Sequence, residues 1–213
     1  MTMPSLISKY KEKSTVTYLK KMNSILQQAF IQIHNEEGLE ELSKETFNSS
    51  DIELMNRFGK YLQYQKICPE NKGGCWKGIM YKSIKGEDYS TFDDTDSGIT
   101  RSSAILADGA FIMFNIRNNA PVNFAQIYID INGHKPPNKL GVDFFYWFIM
   151  PDRIFPGGVP SCGKYGTCKL DDFIRGCTND NGYSCTAWAI YNENMDYLHC
   201  PDKLGWDKAH SCK

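Results

Sequence analysis

The sequence lacks the short motifs that position catalytic groups in most large enzyme families. It contains no G-x-S-x-G nucleophile elbow, no P-loop and no G-x-G-x-x-G turn. Its histidines never fall in H-x-x-x-H or H-E-x-x-H spacing; they are His34, His134, His199 and His210. These absences argue against hydrolase, nucleotide-binding and zinc-protease chemistry. We therefore expect a protein that is not an enzyme and that has no cofactor.

Long apolar runs and a strong net charge are also missing. No stretch of about 18 apolar residues is present, which is the length that a membrane-spanning helix needs, and no signal peptide is recognisable. The formal net charge is −1, so the chain as a whole has no affinity for nucleic acid or anionic lipid on charge alone. A chain of 213 residues can bury a proper core.

Cysteine, by contrast, is abundant. An even number of cysteines in loop-rich surroundings favours disulfides and an exported protein. We expect all eight to be paired. Spacing alone leaves the pairing open, but local pairs that each close a short loop are the simplest arrangement: Cys68–Cys75, Cys162–Cys168, Cys177–Cys185 and Cys200–Cys212. Zinc is the alternative, but zinc knuckles usually have two to four residues between cysteines, which is closer than here. A Cys–His nucleophile with His199 or His210 is a weaker alternative. The eight residues are Cys68, Cys75, Cys162, Cys168, Cys177, Cys185, Cys200 and Cys212.

The first part of the chain has the periodicity of one long helix. Its apolar residues recur at alternating steps of three and four, which defines one helix face. Gly38 is suited to end the helix. A helix over residues 4–37 would be about 50 Å long. The apolar positions are Val16, Leu19, Met22, Leu26, Ala29 and Ile33.

A second helix and a series of strands are predicted after residue 38. Ser50 with Glu53 forms a capping-box pattern, so we expect a helix over residues 51–65. A loop is expected over residues 83–100. Asp108-Gly109 is a strong hairpin signal between two apolar runs. The expected strands are residues 102–107, 110–116, 124–131, 143–150 and 183–191. Helices followed by consecutive strands indicate an α+β fold with an antiparallel sheet.

Two acidic regions are candidates for cation binding. Asp130, Asn132 and Asp143, with Asn138, supply oxygen atoms that suit calcium, but they lack EF-hand spacing. Asp and Asn in a tight turn explain the same residues more simply. Three further acids are best interpreted as part of a solvated loop: Asp93, Asp94 and Asp96. We therefore expect no metal site.

The N-terminal sequence resembles a known family. The string MPSLISKYKEKSTVTYLKKMNSILQQAF is similar to the stretch that follows the membrane segment in type IV pilin-like proteins with a prepilin-type cleavage and methylation signal. The strings IYIDINGHKPPNKLGVDFFYWF and GYSCTAWAIY also resemble the head of this group, where the second leads into the last strand. The close part of the resemblance covers about 30 residues.

The resemblance implies a pilin-like fold and a structural function. Residues 1–37 would be the remainder of a helical spine, and residues 38–213 the globular head with a disulfide-rich C-terminal region. The protein would be a pilin or pseudopilin of a type IV pilus-like or type II secretion-like filament, with other pilin-like subunits as partners. A basic leader and an apolar segment before Met1 would hold it in the inner membrane until it joins a periplasmic or cell-surface filament.

The position of Pro4 fits two situations. Proline is favoured in the first turn of a helix, but inside a longer helix it would remove one hydrogen bond.

Charge is also segregated: residues 9–21 carry five lysines against one glutamate, and residues 36–53 carry seven acids against one lysine. These segments would be solvated helix faces or would attract neighbouring subunits.

The alternative function is a secreted, disulfide-stabilised module that binds carbohydrate or protein.

Overall fold

The computed structural model describes residues 3–38, 42, 46–47, 49–68, 74–76, 78–92, 101–117, 123–160, 173–179 and 181–213. The α-helices include α1 (Met3–Glu37), α2 (Asp51–Gly59) and α3 (Cys185–Tyr191). Short 3-10 or π-helical segments are Gly74–Trp76, Phe173–Asn179, Asp196–Leu198 and Pro201–Lys203. The strands are β1 (Tyr64–Ile67), β2 (Tyr81–Lys82), β3 (Asp88–Ser90), β4 (Ser102–Leu106), β5 (Phe111–Arg117), β6 (Phe124–Asp130), β7 (Phe144–Ile149) and β8 (Ile154–Pro156). The fold is α+β.

Helix α1 confirms the long helix that the spacing predicted. All six positions of the predicted apolar face are buried, together with Phe30. Gly38 ends the helix with φ +65°, and its N–H donates to the carbonyl of His34 at 3.1 Å. Glycine adopts this left-handed conformation without the steric cost that a Cβ would add.

Helix α2 has the predicted start but an earlier end. The Ser50 hydroxyl accepts from the Glu53 N–H at 3.4 Å, and the Glu53 carboxylate accepts from the Ser50 N–H at 2.9 Å. The prediction of helix as far as residue 65 is wrong, because Tyr64–Ile67 pairs with β4 as an edge strand. Gly59 makes this turn compact: a Cβ there would lie 2.7 Å from Cε2 of Tyr64.

Six strands form one sheet in the order β1-β4-β5-β6-β7-β8, and each neighbouring pair is antiparallel. The predicted hairpin at Asp108-Gly109 joins β4 to β5. Gly109 has φ +89°, and the Asp108 carboxylate accepts from the Ala110 N–H at 3.1 Å. The first four predicted strands are thus confirmed, with ends that differ by at most one residue.

Alternate residues of the strands pack against α1 and α2 in the main core. On β7, for example, Phe145, Trp147 and Ile149 face this core. The indole N–H of Trp147 donates to Oδ1 of Asn23 at 3.1 Å, which fixes the helix on the sheet. Residues of α1 and of the sheet therefore share one core.

The opposite face of the sheet carries a second, aromatic cluster. Phe111 and Phe144 of the sheet contact Trp76 edge-to-face, with ring centroids 5.8 and 5.7 Å apart. Tyr81 of β2 contacts Phe144 at 4.6 Å. The predicted loop over residues 83–100 is in part a hairpin, because β3 pairs with β2; residues 93–100, with Asp93, Asp94 and Asp96, lie outside the described residues.

The predicted strand over residues 183–191 is wrong, because this segment forms α3. Six successive residues of it, Cys185 to Ile190, are buried, so the short helix is covered on all sides. The Ala187 N–H donates to the Gly157 carbonyl at 2.8 Å, and the Thr186 hydroxyl accepts from the Tyr146 N–H at 3.1 Å. Alanine at 187 lets the helix approach β7 and β8 closely.

Three disulfides link local pairs of cysteines: Cys68–Cys75, Cys177–Cys185 and Cys200–Cys212. They confirm three of the four expected pairs and leave none of these six cysteines for zinc. Cys162 and Cys168 lie outside the described residues. In the part of the chain that the structure describes, no helix combines the length and apolar composition that a bilayer crossing requires.

Candidate functional site

The first candidate site is an exposed segment of α1, residues 6–14. Every residue in it except Glu12 is exposed, and three large apolar side chains face solvent: Leu6 (51%), Ile7 (56%) and Tyr10 (76%). Tyr10 is four positions after Leu6 and three after Ile7, so the three side chains lie on one side of the helix. An apolar helix face without a covering element is a feature of surfaces that pack against a partner.

The C-terminal region contacts this segment through His199. His199 Nε2 lies 3.0 Å from Oε1 of Glu12, and the Ser8 hydroxyl donates to the same oxygen at 3.0 Å. Both contacts are at the surface, so each contributes little to stability. They hold Glu12 to the head and leave Leu6 and Ile7 uncovered.

The second candidate site is the turn between β6 and β7, where two carboxylates are buried. Asp130 and Asp143 are both almost fully removed from solvent. The Tyr81 hydroxyl donates to Oδ2 of Asp130 at 2.5 Å, and the Asn132 N–H donates to Oδ1 at 3.2 Å. Oδ1 of Asp143 accepts from the Lys139 N–H at 2.5 Å. Oδ2 of Asp143 accepts from the Asn138 N–H at 2.9 Å.

The environment disfavours ionisation of both carboxyl groups. Burial, reinforced by the nearby charge of Asp143, raises the pKa of Asp130 to about 7, although the hydrogen bond from Tyr81 opposes the rise. Burial likewise raises the pKa of Asp143, against the hydrogen bonds from Lys139 and Asn138. The turn can therefore take up a proton near neutral pH.

The donor set does not match a calcium site. All four carboxylate oxygens of Asp130 and Asp143 already accept hydrogen bonds, and calcium needs six to eight oxygen ligands. Among the described residues, no group of three or more His, Cys, Asp or Glu side chains could hold a metal ion. The amide oxygens of Asn132 and Asn138 are buried without a partner. The aspartates fix the turn by accepting from its backbone N–H groups.

The Cys–His nucleophile considered above needs a free thiol, and the two cysteines nearest in sequence to His199 and His210 have none. Cys200 and Cys212 form a disulfide with each other. His199 contacts Glu12, and His210 lies 5.7 Å from Trp188 in an edge-to-face ring contact. His199 and His210 therefore have structural partners, and neither faces a thiol of these two cysteines.

Two glutamates of the acidic segment, residues 36–53, are paired with other residues of the chain. Glu36 accepts from Lys60 at 2.6 Å and from the Tyr61 hydroxyl at 2.9 Å. Glu37 forms an ion pair with Arg57. The sequence pattern did not reveal these contacts, because they join α1 to residues more than 19 positions away. The first two acids of the acidic segment thus bind α2 and the turn that follows it.

Comparison with known proteins adds no relative. No family model, no curated protein and no solved structure matches the chain. The resemblance to type IV pilin-like proteins therefore rests on the three sequence strings given above.

Proposed function

We propose that the chain is the non-catalytic head of a type IV pilin-like or pseudopilin filament subunit. The observation that supports this most is the distribution of burial along α1. From Val16 onward, the apolar face of the helix is covered by the sheet and α2, whereas Leu6, Ile7 and Tyr10 are exposed. A filament subunit needs this division, since one part of its helix belongs to the head and the other packs against neighbouring subunits.

The rest of the fold is compatible with this proposal except in the C-terminal region. The antiparallel sheet over a long N-terminal helix and the local disulfides fit an exported head. The sequence pattern predicted a strand at residues 183–191, the segment that the resemblance places before the last strand, but the chain forms α3 there. The long helix and the antiparallel sheet therefore support the proposal, and the C-terminal region adds no support to it.

In this proposal an apolar segment before Met1 anchors the protein in the inner membrane. After processing, the subunit joins a periplasmic or cell-surface filament with copies of itself or with other pilin-like subunits. The test is to express the whole reading frame with its upstream region and to fractionate the cells. We expect the protein in the inner membrane and in the sheared filament fraction. A freely secreted product would overturn the proposal and favour the secreted binding module.

Substitutions in the exposed segment make the test specific. Leu6→Asp with Ile7→Asp should lower the recovery of sheared filaments at least ten-fold without lowering the melting temperature of the head, because neither side chain packs within it. Ile67→Asp is the matched control, since Ile67 is 50% exposed but lies on β1. Equal filament recovery from both variants would contradict a role for this face.

A further inference from the structure

The outer face of the sheet, otherwise aromatic, carries a patch of polar side chains on three neighbouring strands. We call it the arginine patch: Arg101, Ser103, Asn115, Arg117, Gln126 and Tyr128. The pairing of Ser102 with Phe114 places Arg101 opposite Asn115, and Asn115 pairs with Gln126. Side chains directly opposite one another on antiparallel strands lie on the same face and in contact distance.

The side-chain amide oxygens of the patch are uncharged and already accept hydrogen bonds from other side chains of the patch. Oε1 of Gln126 accepts from the Tyr128 hydroxyl at 2.8 Å and from Nε of Arg117 at 3.4 Å. The Asn115 amide, with its oxygen turned toward Arg117, accepts from Nε and Nη2 at 3.2 Å. No carboxylate of the described residues forms an ion pair with Arg101 or Arg117.

Two donors of the patch have no acceptor among the residues that the structure describes. Nε of Arg101 and the hydroxyl of Ser103 are both buried without a hydrogen-bond partner. Arg101 is held in place by other contacts: Nη1 donates to the Phe92 carbonyl at 2.9 Å, and the guanidinium carbon lies 5.6 Å from the Phe92 ring centre. A buried donor without an acceptor is costly, and a partly buried guanidinium without a counter-charge is more so.

Both positive charges act near the Tyr128 hydroxyl. Nε of Arg117 and the Tyr128 hydroxyl both donate to Oε1 of Gln126. Arg101 lies over the Phe92 ring, whose centre is 5.5 Å from that of the Tyr128 ring. Burial raises the pKa of Tyr128, and the charges of Arg101 and Arg117 oppose the rise. Ser103, Asn115 and Tyr128 are buried, whereas Arg101, Arg117 and Gln126 are partly exposed. The patch thus has a buried polar floor and a rim that solvent reaches.

We propose that the arginine patch binds an oxyanion group, either a carboxylate or a phosphate, on the outer face of the sheet. Such a group would supply a negative charge beside these guanidinium groups and an acceptor for Nε of Arg101, neither of which the described residues provide. Guanidinium groups bind both kinds of oxyanion through paired, charge-assisted hydrogen bonds. This site is independent of filament assembly, because it lies on the face of the sheet opposite α1.

The test is to titrate the protein with sodium phosphate, sodium sulfate and sodium acetate at constant ionic strength set by sodium chloride. We expect phosphate to raise the melting temperature saturably, by about 3 °C, and to bind in calorimetric titration. Saturation by acetate as well would identify a carboxylate ligand, and saturation by phosphate and sulfate alone a tetrahedral one. No saturable response to any of the three would overturn the proposal.

Variants separate site binding from general salt effects. Arg101→Gln should weaken phosphate binding at least ten-fold, as expected for the loss of a charged hydrogen-bond donor. Arg153→Gln, at a surface arginine paired with Asp152, should leave the binding constant unchanged. If Arg101→Gln fails to fold, Arg101→Lys keeps the charge but lacks Nε and should also weaken binding. Equal affinity of the wild type and the folded Arg101 variant would overturn the proposal.

Discussion

The hydroxyl of Tyr81 donates a hydrogen bond of 2.5 Å to the buried carboxylate of Asp130. The two residues are 49 positions apart, and the bond joins the β2–β3 hairpin to β6. Because the Tyr81 ring also packs on Trp76, Phe92 and Phe144, one side chain connects the aromatic cluster to the turn with the two aspartates.

Removing the Tyr81 hydroxyl should therefore destabilise the head. In Tyr81→Phe the ring contacts remain, but Oδ2 of Asp130 loses its donor while still buried. A buried polar group without its partner costs about 1–3 kcal/mol. Urea unfolding should show this loss at neutral pH. Tyr191→Phe is the control, since Tyr191 is largely exposed and should change the free energy of unfolding by less than about 0.5 kcal/mol.

The raised pKa of Asp130 predicts a specific dependence of stability on pH. In the unfolded chain this carboxyl ionises near pH 4, but in the folded protein its pKa is about 7. Its contribution to stability is therefore fully present below pH 4 and is lost as the pH rises toward 7, because only the unfolded state releases the proton in that interval.

Asp130→Asn isolates this contribution, because an amide at this position does not titrate. The free energy of unfolding of the wild type, minus that of Asp130→Asn, should fall by about 2 kcal/mol between pH 5 and pH 8. Urea unfolding of both proteins at several pH values measures the difference. A difference that stays constant over this range would show that the folded-state pKa of Asp130 is not raised.

The disulfides should be complete and should stabilise the C-terminal region. Mass spectrometry of unreduced peptides should show the three observed pairs and a fourth between Cys162 and Cys168, with no alkylatable thiol in the folded protein. Replacing Cys200 and Cys212 by alanine opens a loop with a sequence separation of 12 and should cost about 2–3 kcal/mol in the chain-entropy model. Four or more reactive thiols would contradict the paired state and restore zinc as an interpretation.

Local patterns predicted the elements whose burial repeats regularly. The apolar face of α1 and the hairpin at Asp108-Gly109 follow from spacing and turn chemistry within the segment itself. The segment YSCTAWAIY was misassigned because a short apolar run fits a buried strand or a buried helix equally. The choice between strand and helix depends on the backbone that the segment packs against, here Gly157 and Gly158. These residues lie outside the segment, so its own pattern does not contain this information.

The sites were predictable only where their residues are neighbours in sequence. Asp130, Asn132 and Asp143 attracted attention as a group of oxygen ligands, and the structure does bring them together. Tyr81, which fixes Asp130, comes from a distant hairpin with no sequence signal of its own. The arginine patch depends on strand register, since Arg101 and Asn115 meet only because Ser102 pairs with Phe114.

The close approach of α3 to the end of β8 gives the last prediction. Gly158 has φ +92°, and a Cβ there would lie 1.9 Å from the carbonyl oxygen of Ser184, just before α3. Gly109 has a similar φ of +89°, but a Cβ there would meet nothing within 4 Å. An alanine at either position would therefore have about the same backbone strain. Only at position 158 would its Cβ also overlap with the backbone of Ser184.

Gly158→Ala should therefore cost more than Gly109→Ala, although the chemical change is identical. The strain of a positive φ accounts for about 1–2 kcal/mol at either position. At Gly158 the overlap must also push α3 away from the sheet, so the total should exceed about 3 kcal/mol. Thermal and urea unfolding of the two variants measure the difference. Equal losses would mean that α3 does not rest on Gly158, and the strand predicted for residues 183–191 would have to be reconsidered.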